Sequence, residues 1–152
     1  MGYKLIVSDM DETLLNDNRE ISENNLKMIK LAKEKYGVRF VPATGRGYAS
    51  IQNELAELGL HDLSGEYTIS YNGAIITENK GNTLLRSNGL DYNIMKKIFE
   101  FGLTKDLCQH VYTKDTVYVF NVNSYEKERM DGYNGGRVYA EENSVDFLKN
   151  EK

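Results

Sequence analysis

An apolar run, Leu5-Ile6-Val7, ends abruptly after Ser8 in the acidic stretch Asp9-Met10-Asp11-Glu12. A short segment that is apolar on both faces suits a strand buried in a parallel sheet, and a parallel sheet requires crossover helices. The next residues supply them. Ser22 predicts an N-cap, Glu23 suits the positive end of a helix, and Leu26, Ile29, Ala32 and Tyr36 fall at helical spacing before Gly37. Residues 38–43 read as a second strand. Thr44-Gly45-Arg46-Gly47 then leads into a second amphipathic helix carrying Ile51, Leu55 and Leu58 up to Gly59, and residues 67–70 make a third strand. This β-α-β-α-β order predicts half of a doubly wound α/β sheet with its site at the carboxyl ends of the strands.

The pattern changes at Tyr71. Residues 74–77 and 83–86 read as strands about the turn Glu78-Asn79-Lys80-Gly81-Asn82, which is a hairpin and not a crossover. A helix over 91–101 sets Ile94, Ile98 and Phe101 on one face, and a second hairpin spans 107–121 with Lys114-Asp115 at its tip. Residues 124–152 are charged and weakly periodic, and Asp131-Gly132 and Gly135-Gly136 are turn signals, not element signals. The chain is therefore read as an α/β region, 1–71, followed by an α+β region, 72–152.

Charge and composition narrow the chemistry. With 19 Lys and Arg against 23 Asp and Glu among 152 residues, the net charge of −4 gives no positive field for nucleic acid or an anionic membrane. One cysteine, Cys108, excludes an intramolecular disulfide framework, and two histidines, His61 and His110, leave little for an imidazole metal site. Any metal is expected to be held by oxygen. No apolar run reaches the roughly 20 residues of a membrane span and no signal sequence is read at the N-terminus, so the expected location is cytoplasmic.

Asp9 and Asp11 stand two positions apart at a strand end, where their carboxylates can share one site. One can hold a hard cation and attack an electrophile while the other carries a proton to the leaving group. An acidic turn capping a strand uses the same residues. Thr44-Gly45-Arg46 brings a hydroxyl, a glycine of close approach and helix N-terminal amides to the end of the next strand, where an anion would bind. Thr-Gly is also a common helix start. Acids after one strand and an anion-binding turn after the next are specific together.

Leu5-Ile6-Val7-Ser8-Asp9-Met10-Asp11-Glu12-Thr13-Leu14-Leu15 resembles the first motif of the haloacid dehalogenase (HAD) superfamily. Ala43-Thr44-Gly45-Arg46 resembles the second motif of its Cof-type branch, and Ser70-Tyr71-Asn72-Gly73-Ala74-Ile75 resembles that branch's junction between core and cap. The resemblance implies a HAD-like Rossmannoid parallel sheet, of which the first three strands are present in 1–71, and part of an αββ-type cap in 72–152. It implies a Mg²⁺-dependent phosphatase of small phosphorylated metabolites. Asp9 would be the nucleophile and a Mg²⁺ ligand. Asp11 would be the acid–base residue, with its main-chain carbonyl on the metal. The Met10 amide, the Thr44 hydroxyl and the Gly45 amide would bind the phosphoryl group, and Arg46 would lie near the substrate entrance. Glu12 occupies a position where the family usually has Gly.

The family's third-motif Lys and its Gly-Asp-x-x-Asn-Asp fourth motif have no match, so the resemblance implies an incomplete site in a truncated copy that stops inside the cap. Asp131-Gly132-Tyr133-Asn134 has the wrong order for a substitute, and Lys105, Lys127 and Lys149 read as ordinary surface lysines. In the family's sheet order further strands pair beyond the first one. Here residues 5–8 are therefore expected to form an exposed apolar edge that invites a second copy or a complementing chain. Two other readings stay open: an inactive remnant or fragment, and a non-catalytic module holding Mg²⁺ or a phospho-ligand. His61 reads as a surface or helix-end residue, Cys108 as half-buried core, and Tyr112, Tyr118, Tyr125, Tyr133 and Tyr139 as cover for a small sheet.

Overall fold

The computed structural model describes residues 2–130 and 137–150, in two compact units, Met1–Asn88 and Gly89–Lys152. In the first unit, β1 (Leu5–Asp9), β2 (Arg39–Ala43) and β3 (Tyr67–Ser70) are parallel neighbours, linked by α1 (Glu23–Tyr36) and by α2 (Gln52–Glu57). β4 (Ile75–Glu78) and β5 (Thr83–Ser87) continue the same sheet antiparallel, giving the order β1-β2-β3-β4-β5. The change of pattern at Tyr71 thus marks a reversal of strand direction, and the sheet continues through it. The hairpin assigned by sequence to the second region pairs with β3, and the compact units part after Asn88.

Local signals account for α1. The Ser22 hydroxyl accepts from the Asn25 amide at 3.2 Å, Glu23 sits in the first turn, and Lys33 and Lys35 lie in the last. Gly37 closes the helix at φ 62°, a left-handed conformation that favours glycine. The core of this unit gathers Met10, Leu14, Leu15, Ile21, Phe40, Ile51, Leu55 and Leu60, with Leu26 and Ile29 of α1 and Leu58 packed against it. Tyr36, on the predicted stripe and the last residue of the helix, is exposed. β1 pairs with β2 alone among the described residues, and Leu5, Ile6 and Val7 keep 51, 41 and 49% of their surface exposed. The expected apolar edge is therefore present.

The second unit sets α3 (Tyr92–Leu103) with a sheet of β6 (Gln109–Tyr112), β7 (Val117–Phe120) and β8 (Arg137–Tyr139), in that order, β7 and β8 being parallel. Its core is Phe99, Phe120, Val145 and Leu148, the two rings meeting edge to face at 4.8 Å. The buried side of α3 carries Met95, Phe99 and Gly102, whereas Ile94, Ile98 and Phe101 face outward. The helix is apolar on two sides, and spacing alone does not say which is buried.

The region after Ser124, read from sequence as turns, holds α4 (Ser124–Met130), β8 and a helical turn at Asp146–Asn150. Asn123 caps α4, its side-chain oxygen accepting from the Glu126 amide at 2.8 Å. Asn123 and Glu126 stand at the spacing of a capping box. Residues 131–134 lie outside the described residues. No helix among the described residues is long and apolar enough to cross a membrane.

Asp146 ties the last turn to α3, accepting from Lys96 Nζ and from Tyr92 Oη at 2.9 Å. The Lys96 hydrogen bond is the main cause that holds the Asp146 carboxyl below its ordinary 3.8 and raises Lys96 above its ordinary 10.5. A lowered carboxyl stabilises above its unfolded value and loses that contribution as pH falls through the folded one. A raised ammonium loses its contribution as pH rises through its folded value. Amide protection of Leu148 should therefore hold between these limits and fall on strong acidification, an acid-side step that Asp146→Asn removes in pH-resolved hydrogen exchange.

Candidate active site

The site residues are set by register. Asp9 pairs with Ala43, and Ala43 pairs with Ile69, so the carboxyl ends of three parallel strands fall in one row. Asp9 ends β1 with an exposed side chain, and its Oδ2 accepts from the Thr13 hydroxyl at 3.3 Å. The chain then makes a wide turn in which the Leu15 amide donates to the Met10 carbonyl at 2.9 Å. Met10, fully buried, and Leu14 pin this turn to the core, which leaves the acids between them at the surface. Glu12 takes φ 58° and ψ 15°. A left-handed residue of this kind costs on the order of 1 kcal/mol in a non-glycine, which is the physical reason for glycine at such a turn.

The second loop is stitched to the third strand. The Thr44 amide donates to the Ile69 carbonyl at 3.0 Å, the Asn72 amide to the Thr44 carbonyl at 3.1 Å, and the Tyr71 amide to the Arg46 carbonyl at 3.1 Å. Thr44 is buried, and its Oγ1 accepts from the Arg46 amide at 3.0 Å, so its own hydroxyl proton is available to a further acceptor. A Cβ on Gly45 would lie 3.0 Å from Asn72 Oδ1, so a larger residue there would have to displace the Asn72 side chain.

Arg46 joins the two loops. Its Nε lies 3.2 Å from Asp11 Oδ2 and its Nη1 lies 3.0 Å from Glu54 Oε1, with the arginine and Glu54 side chains largely buried. Of the six sequence-predicted residues, Asp9, Met10 and Asp11 thus lie at one strand end, Thr44, Gly45 and Arg46 at the next, and the Arg46–Asp11 ion pair ties the groups together. Glu54, Thr13 and Asn72 were not singled out by sequence. For Glu54 a signal existed, an acid three residues after Ile51 and beside Leu55 on the apolar stripe of α2. His61 is exposed, Lys105 lies over the Phe101 ring at 5.5 Å, and Lys127 and Lys149 are exposed. Among the described residues no group of three or more His, Cys, Asp or Glu side chains is gathered as a metal site. The carboxylate and carbonyl oxygens of the first loop are of the kind that suits a hard cation such as Mg²⁺.

The family profile for haloacid dehalogenase-like hydrolases matches residues 6–151. This chain belongs to the haloacid dehalogenase-like hydrolase family. It is 34% identical over 131 residues to the protein YxeH of Bacillus subtilis (strain 168), covering 86% of this chain and 48% of YxeH. It is 31% identical over 111 residues to the HMP-PP phosphatase of Serratia proteamaculans (strain 568), covering 72% of this chain and 38% of that one. A haloacid dehalogenase-like hydrolase from Bacteroides thetaiotaomicron superposes with a TM-score of 0.73 at 26% identity, over 99% of this chain and 55% of that chain. The chain spans about half the length of the relatives it matches.

The Thr44 contact is directly testable. Thr44→Val keeps the shape and removes the acceptor of the Arg46 amide, which should cost about 1–2 kcal/mol in urea unfolding and speed exchange of that amide. Thr44→Ser should restore both.

Proposed function

We propose that the chain carries the nucleophile and phosphate-binding half of a Mg²⁺-dependent, Cof-type phosphatase acting on small phosphorylated metabolites. The observation that carries this reading is the pairing of Asp9 with Ala43, which sets an exposed carboxylate beside a turn of hydrogen-bond donors at adjacent strand ends. Family membership and a relative named as a phosphatase support it. On this reading residues 1–71 are core, with the β4–β5 hairpin continuing its sheet, and the α+β unit after Asn88 is part of a cap.

In the proposed reaction, an Asp9 carboxylate oxygen attacks phosphorus and the bond from phosphorus to the ester oxygen breaks. Asp11 gives its proton to the departing oxygen, which leaves as the alcohol. Asp11, now a carboxylate, takes a proton from water as that water attacks the aspartyl-phosphate, and inorganic phosphate departs from a regenerated Asp9. The Thr44 hydroxyl and the amides of Met10 and Gly45 hold the phosphoryl oxygens, which is where such a site does most of its work. When bound, Mg²⁺ neutralises phosphate charge and orients the group. The Asp9 carboxylate and the Asp11 main-chain carbonyl would hold it, with water in other positions. Asp9→Asn should lower Mg²⁺-dependent hydrolysis of p-nitrophenyl phosphate by roughly a hundredfold or more, as removal of a covalent nucleophile does. Equal rates in the two proteins would sink the enzyme reading in favour of a remnant or binding module.

The half-exposed edge of β1 supports a second element of this reading, association with another copy or a complementing chain along that strand. Light scattering of the chain alone should give a mass that rises with concentration, and Val7→Lys should suppress the rise. A monomer at high concentration would count against it.

A further inference from the structure

Glu54 lies outside the motifs, and it is a mostly buried acid on an otherwise apolar face of α2, its side chain 17% exposed. A carboxylate in such a place needs a charged partner, and it has Arg46. Arg46 is itself fixed at the backbone, its amide held by Thr44 Oγ1 and its carbonyl by the Tyr71 amide. Only the head of the side chain is left to be oriented. Its Nε and Nη2 are buried and have no aligned hydrogen-bond acceptor, so the two carboxylates at 3.0 and 3.2 Å supply what holds it. Asp11, by contrast, is more exposed and sits on a turn that contains a left-handed residue. The better-anchored end of the relay is Glu54.

We propose that Glu54 is a positioning residue: it holds the Arg46 guanidinium in place so that Arg46 in turn fixes the Asp11 side chain through Oδ2, leaving Oδ1 to carry the proton. This rests on the reading of Asp11 as the acid–base residue. A planar guanidinium can bridge two carboxylates from different directions, whereas a lysine ammonium on a flexible stem fixes neither direction nor distance. Freed from Glu54, the guanidinium would follow Asp11 or an incoming phosphate, and Asp11 would lose its fixed direction. The step that suffers is protonation of the leaving oxygen, because geometry governs proton transfer first. Nucleophilic attack by Asp9 does not pass through this relay.

The test separates these steps. In Glu54→Gln, kcat for a poor alkoxide leaving group such as that of glycerol 2-phosphate should fall roughly tenfold, and kcat for p-nitrophenyl phosphate by less than about threefold, with KM within about twofold for both. The nitrophenolate leaves with little help from an acid. Arg46→Lys should reproduce the same leaving-group dependence, and Glu54→Asp, with its charge kept and its reach shortened, should fall between. Equal losses on both substrates would overturn the proposal, since general loosening of α2 affects both alike. A readout without turnover runs beside it: the Arg46 Nη signals in ¹⁵N-arginine spectra should be resolved by hindered rotation of the guanidinium in the wild type, where Nη1 meets Glu54, and averaged in Glu54→Gln. An unchanged signal overturns the tether. Absence of turnover in the wild type counts against the phosphatase reading and leaves the tether to be decided by that spectrum.

Discussion

Everything that can be called a site in this chain depends on the register of three parallel strands. Asp9, Ala43 and Ile69 lie in one row, and the bonds from the Thr44 amide to Ile69 and from the Asn72 amide to Thr44 carry that row into the loops. A shift of one residue in β1 would turn Asp9 to the other side of the sheet, because side chains alternate. Met10 and Leu14, buried in the core directly after β1, resist such a shift, since sliding the strand would pull them out of it.

The loops are held by different forces. The first is anchored by hydrophobic burial, Met10 and Leu14 reaching into the core while Asp9 and Asp11 remain accessible. The second is anchored by main-chain hydrogen bonds to the third strand end. Arg46 then connects them electrostatically across the gap, with Glu54 as the fixed end. A small group of charges is thus supported by two rigid, independently anchored loops. Such support is what a reactive group must have if its direction is to matter.

Much of this is legible in the sequence. The apolar run before Asp9, the capped helix to Gly37, and the Thr-Gly turn after β2 each carry a local physical reason, and all three agree with the fold. Three features were not legible. The antiparallel strands β4 and β5 read as a new region, because a hairpin has the same local signature whether it extends an old sheet or starts another. In α3 the apolar residues cover two sides, so periodicity did not choose between Phe99 and Ile98. The β7–β8 pairing joins segments far apart in the chain, and β8 is three residues long, too short for alternation to register. Glu54 was missed for another reason: its meaning lies in the partner 3.0 Å away, which is eight positions back in the sequence and on a different element.

The exposed edge and the site are the same piece of chain. Asp9 is the last residue of β1, and every residue before it in that strand is at least partly exposed. A strand that paired in parallel along this edge would bring its own carboxyl end, and the loop beyond it, beside Asp9. Parallel sheets gather their functional loops at that end for this reason. Burial of Leu5, Ile6 and Val7 by such a strand and the placing of its loop beside Asp9 would therefore be one structural event. A partner that covered the apolar surface in the antiparallel sense would instead set its amino end beside Asp9, covering the edge while adding no carboxyl-end loop there.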